Sequence, residues 1–156
     1  MNYLKSTIWI TLIILGFVLG AWNNAHAQTG KQKAGVTYDA NITRVIDGDT
    51  VAIEAAWLPD PLKKELSIRV FGVDTPEKGH RAQCPKEDVM GQKATEFTKK
   101  AVTSARKRQV VLMDWDKYGG RVLGDVILDG KSLRQALIAN GLAREYYGEA
   151  KTSWCN

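Results

Sequence analysis

Ile42-Thr43-Arg44-Val45-Ile46-Asp47-Gly48-Asp49-Thr50 and Ser67-Ile68-Arg69-Val70-Phe71-Gly72-Val73-Asp74-Thr75-Pro76-Glu77 are the two stretches from which the rest of the chain can be read. Each is a β-branched, apolar run that ends in carboxylates. Strands of this kind place Asp47, Asp49, Asp74 and Glu77 at one end of a sheet, with Arg69 directed toward them. Clustered carboxylates repel one another unless a cation sits between them. Four acids around an arginine suit a hard metal ion and a phosphate group, and they make poor core.

Working outward, residues 36–46 alternate as a strand, 50–55 form a second and 66–73 a third. Asp47-Gly48 is the hairpin signal between the first two. The polar stretch 76–88, with two prolines and Cys84, reads as a loop, after which Glu87 or Asp88 caps a helix. Val89, Met90, Ala94, Phe97, Ala101, Val102 and Ala105 recur at helical spacing and mark its buried stripe. Residues 109–115 and 121–128 are two further strands around Asp116-Lys117-Tyr118-Gly119-Gly120, and Asp129-Gly130 is another turn. Ser132 caps a short helix, Gln135 completes its capping box and Gly141 stands just past its end. The order β-β-β-α-β-β-α predicts a mainly β fold, a five-stranded OB-type barrel with about two helices.

The beginning of the chain has a different character. Lys5 supplies a positive start, residues 8–22 are almost wholly apolar, and Ala25-His26-Ala27 is a small-x-small cleavage site. This is the layout of a secretory signal peptide at 1–27. The apolar run is shorter than the ~20 residues that a spanning helix prefers. The chain is therefore expected to be secreted or periplasmic, without a stable membrane anchor once cleaved. An uncleaved N-terminal helix is the alternative. Residues 28–35 read as a flexible tether and 36–156 as one domain, expected to be monomeric. The formal net charge is +5, which favours polyanionic partners such as nucleic acid.

Cys84 and Cys155 are the two cysteines. An even count in an exported chain suggests a disulfide. A zinc site does not fit, because His80 is the only histidine after the signal segment and no Cys-x-x-Cys occurs. The carboxylates instead suit calcium, with Asp49, Asp74, a carbonyl near Thr75 and waters as oxygen ligands. An EF-hand is excluded, because the later glycine and glutamate of that loop are missing. Arg69 can grip a phosphate bidentately. Arg121 is a second candidate or else a solvated strand charge. Glu77 is a solvated loop acid or a general base near a metal-bound water.

Ile46-Asp47-Gly48-Asp49-Thr50-Val51, Arg69 ahead of Val73-Asp74-Thr75-Pro76-Glu77, Phe97-Thr98-Lys99-Lys100, Asp116-Lys117-Tyr118-Gly119 and Gly141-Leu142-Ala143 follow one another in that order. Together they resemble the staphylococcal (micrococcal) nuclease family, the thermonucleases, over about 43–147. The resemblance implies an OB-fold and Ca²⁺-dependent hydrolysis of DNA and RNA to 3′-phosphate ends. It implies Asp49, Asp74 and the Thr75 carbonyl as calcium ligands, Glu77 as general base, and Arg69 and Arg121 as phosphate ligands. Tyr118 and Tyr147 match positions that line the nucleotide pocket, with Lys117 beside them.

Two departures shape what is expected. The family pattern has one glycine between the tyrosine and the second arginine, whereas Gly119-Gly120 gives two, so Arg121 or Lys117 takes that phosphate contact. Trp154-Cys155 stands where the staphylococcal enzyme continues into a third helix, and the disulfide is expected to replace that tie. Two rival readings remain: a non-catalytic OB module that binds single strands, and an exported scaffold whose catalysis the extra glycine has removed. The first has no need of an acidic cluster.

Overall fold

The computed structural model describes residues 35–60, 62 and 65–156. The predicted signal helix at 1–27, and the tether up to its last residue, lie outside these. In chain order come β1 (Val36–Asp39), β2 (Asn41–Asp47), β3 (Thr50–Glu54), β4 (Leu66–Val70) and β5 (Val73–Asp74). A 3₁₀ turn at Gly79–Arg81 precedes α1 (Pro85–Ser104), followed by β6 (Arg108–Trp115) and β7 (Arg121–Leu128). Then β8 (Lys131–Ser132), α2 (Leu133–Ala139) and β9 (Arg144–Glu145) complete the chain. No helix among the described residues is long and apolar enough to cross a membrane.

The fold is mainly β with two helices, OB-like, as the element order predicts. The main sheet runs β1-β6-β7-β4-β3-β2, with β8 on β7, and β5 pairs β9 separately. It is not the closed five-stranded barrel expected. The run 36–46 breaks at Ala40, whose N–H donates to the Arg108 carbonyl at 3.2 Å. Its first part pairs with β6 and its second with β3. The two edges of the sheet are thus consecutive in the chain, and they are joined covalently rather than by a ladder. Alternation on β3, β4 and β7 sends Val51, Ile53, Ile68, Val70 and Val126 inward, where Leu133 and Leu137 of α2 cover them. Each such side chain contributes about 1.5–3 kcal/mol by leaving water.

The helix positions the acidic turns through small residues. α1 starts earlier than predicted: Cys84 is the N-cap and Pro85 the first helical residue, a position where proline's fixed φ helps and its missing N–H is no loss. Glu87 does not cap. It lies buried, and its carboxylate accepts from the N–H of Gln83 at 2.7 Å and of Glu77 at 3.3 Å, tying the loop to the helix. The buried face is Gly91, Ala94, Thr95, Thr98 and Val102, and the predicted stripe residue Val89 is half exposed. Small side chains let the helix approach the β2–β3 turn closely, where Thr98 Oγ1 donates to the Gly48 carbonyl at 2.7 Å.

Gly48 is accordingly a packing glycine. It is not among the glycines at positive φ, and a Cβ there would come within 2.8 Å of the Ala94 Cβ. Gly91 is tighter still, since a Cβ would lie 2.4 Å from the Glu77 carbonyl oxygen. Gly91→Ala is therefore expected to cost about 1–3 kcal/mol by overpacking and to displace Glu77. Urea unfolding of the variant checks this, and unchanged stability would show that the loop yields freely. The other end signals hold as read. Ser132 caps α2, Asp129 and Gly130 turn at φ 49° and 79°, and Gly141 ends the helix at φ 65°.

Candidate active site

Asp49 is the centre of the acidic turn and is almost fully buried. Its Oδ1 accepts from Arg69 at 2.9 Å and from the Thr50 hydroxyl at 2.9 Å. Its Oδ2 accepts from the Thr75 N–H at 3.4 Å, which ties the two predicted acidic stretches together. Burial pushes the Asp49 carboxyl up to about 6, the Arg69 guanidinium pulls against that shift, and the negative charge of Asp47 adds to it. A carboxylate so placed gains from any further positive charge.

β4 and β7 run parallel, and their register sets Ser67 beside Arg121 and Arg69 beside Leu123. With a side-chain period of two, Arg69 and Arg121 project from the same face of the sheet. Both line a cleft of about 480 Å³, together with Asp49, Thr75 and Glu77. The doubled glycine does not carry Arg121 away. Gly119 and Gly120 both take positive φ, 70° and 72°, and absorb the extra residue in the turn. Asp116 then accepts from Arg121 Nε. Burial raises the Asp116 carboxyl, but the bonds from Arg121 and the Tyr118 N–H outweigh it and hold the group below the usual range. Lys117, Tyr118 and Tyr147 line the same cleft. Tyr118 is 77% exposed and Trp115 58%, two aromatic faces open to solvent at the rim.

Glu77 lies across the cleft, with its Oε2 3.3 Å from Arg81 Nε and its Oε1 3.9 Å from Lys151 Nζ. Arg81 also reaches Asp47 Oδ2 at 3.2 Å. Asp74 is buried and faces an adjoining hollow, whose walls share Thr75, Glu77, Arg81 and Lys151 with the main cleft. Its Oδ2 accepts from the Trp154 indole N–H at 3.1 Å. Its Oδ1 lies 2.6 Å from Lys151 Nζ and forms an ion pair with it. Cys84 and Cys155 are bonded as expected, with Cα atoms 6.0 Å apart, and this holds Trp154 against Asp74. Tyr147 is steered by a buried arginine: Arg134 donates to its hydroxyl at 2.6 Å and to Glu145 at 3.1 Å.

The model for the staphylococcal nuclease homologue family matches residues 67–154. The chain belongs to that family. The matched span holds Arg69, Asp74, Thr75, Glu77 and Arg121, and leaves Asp49 outside it. Among relatives, endonuclease YncB of Bacillus subtilis is 31% identical over 138 residues, 80% of this chain and 59% of that protein. Thermonucleases of Staphylococcus hyicus and Staphylococcus intermedius are 33% and 38% identical, over 78% and 66% of this chain and 62% and 56% of theirs. The chain thus spans about six-tenths of the length of these relatives.

As a member of the staphylococcal nuclease family the chain is expected to hold a hard cation, and its donors can be tested for that. Asp49 and Asp74 offer oxygen only, and Asp47 Oδ1 and Asp74 Oδ1 are buried without a hydrogen-bond donor. A positive group, Lys151, already rests against the second of these. Such a donor set fits calcium or magnesium and not zinc. No three acidic, histidine or cysteine side chains among the described residues converge to cage a metal alone. A cation would rest on Asp49 and Asp74, completed by backbone oxygen and water. Sequence reasoning missed Arg81, Glu87, Arg134, Lys151 and Trp154. Only Trp154, adjacent to Cys155, carried a signal that could have found it.

Proposed function

We propose that the chain is a calcium-dependent phosphodiesterase that cuts DNA and RNA to 3′-phosphate ends. The observation that carries this reading is Arg69 and Arg121 on one face of the sheet, with buried Asp49 bonded to Arg69 and Glu77 across the same cleft. Asp49, Asp74 and Thr75 would hold the cation, whose contribution is to neutralise phosphate charge and polarise a water. Arg69 and Arg121 donate to the non-bridging phosphate oxygens and oppose the charge that builds on them. Glu77 orients a water and accepts its proton. The water oxygen bonds to phosphorus as the P–O5′ bond breaks, and the departing 5′-oxygen takes up a proton. Lys117, Tyr118 and Tyr147 bind the nucleotide, and exposed Trp115 adds a stacking face that favours unpaired bases.

The setting supports export. A signal segment at 1–27 precedes the domain, and a disulfide such as Cys84–Cys155 persists in oxidising compartments. We take the cleaved chain to act as a secreted or periplasmic monomer. The test is direct: the purified chain is incubated with single-stranded DNA and with RNA, in calcium and in excess chelator. Cleavage in calcium that stops with chelator is expected. Tight binding to either polymer without cleavage would point to the non-catalytic single-strand module instead.

A further inference from the structure

Both carboxylate oxygens of Asp74 meet the C-terminal segment. The Trp154 indole donates to Oδ2 at 3.1 Å, and Trp154 is itself buried. Arg144 stacks on that indole, 3.8 Å from its ring centre, and donates to the carbonyls of Thr152 and Ser153. Cys155 is bonded to Cys84. The indole N–H is therefore fixed, and Oδ1 is the oxygen left for a cation. The Lys151 ammonium is already there, 2.6 Å from Oδ1 and 3.9 Å from Glu77 Oε1. The contact is an ion pair with the buried carboxylate. The lysine side chain is 46% exposed and has solvent to move into.

We propose that Lys151 is a resident counter-ion of the cation site: its ammonium and a divalent cation compete for Asp74 Oδ1, and that competition sets the affinity of the site. The inference rests on the reading of Asp49 and Asp74 as cation ligands. A buried carboxylate costs several kcal/mol without a partner, and the tethered ammonium offsets that cost between binding events. The exchange lowers apparent affinity by the fraction of molecules in which Oδ1 is open.

Isothermal titration of the purified, oxidised chain with calcium chloride tests this without reference to catalysis. Lys151→Met is expected to bind calcium about tenfold more tightly, the factor for a site open in roughly a tenth of molecules. Lys151→Gln should move the same way, and calcium should raise the melting temperature of both variants more than that of the native chain. Lys93→Met, which removes an equal charge from the exposed side of α1, should leave the affinity within about twofold, as surface charges are screened. Unchanged or weaker binding by both Lys151 variants overturns the inference alone, and so does an equal gain in Lys93→Met. If no form binds calcium, the inference falls together with the cation reading.

Discussion

Arg69→Ala is expected to lower the rate of nucleic-acid hydrolysis by about 10²- to 10³-fold, the loss typical of one charged contact to a transition state. The effect is large because Arg69 does two things at once. It lines the cleft from β4, and its guanidinium is paired with buried Asp49 at 2.9 Å. Removing it leaves Asp49 without that partner. The carboxyl, already raised to about 6 by burial, can take up a proton and become neutral, so the variant is expected to fold. Glu77→Ser should show a loss of the same order, since it removes the group proposed to accept the proton. Steady-state cleavage rates, with thermal melts to confirm folding, check both. Full activity in either variant removes that residue from the mechanism.

Opening the Cys84–Cys155 bond is the second large effect. The bond joins residues 71 apart, and a loop of that length is worth about 4 kcal/mol in the chain-entropy account. A double Cys→Ser variant is therefore expected to melt on the order of 10–20 °C below the native chain, given the usual scaling for a domain of this size. The loss has a local meaning too. Cys84 is the N-cap of α1, and Cys155 follows the tryptophan that holds Asp74. The bond thus ties the start of the helix to the residue that orients the Asp74 carboxylate. A shift of only a degree or two would mean that Arg144 and Trp154 hold the tail without help.

The parts of this molecule that could be read from its sequence are those set by neighbours. Asp129-Gly130 turns where a left-handed pair is needed, Ser132 caps α2, and alternation on β4 sends Ile68 inward and Arg69 outward. The two acidic stretches were legible as a pair, and the bond from the Thr75 N–H to Asp49 joins them. What could not be read depends on distant packing. Gly48 looks like a hairpin glycine, but it is required by Ala94 on a helix far along the chain. Glu87 looks like a helix cap, and its burial beneath the 77–83 loop is visible only once the helix is docked. Val89 fits a helical stripe, yet the helix turns its small residues inward because the acidic turn lies close against it. Lys151 and Trp154 reach Asp74 across about half of the chain, and no local pattern encodes that.

In the proposed site Asp49 and Asp74 share one hard divalent cation beside Arg69. A crystal grown in calcium, with anomalous data collected at long wavelength, tests it most directly. A single calcium peak at about 2.3–2.6 Å from oxygens of both carboxylates, with Lys151 moved off Asp74, is the predicted result. Saturating calcium with no peak at those two residues would contradict the account.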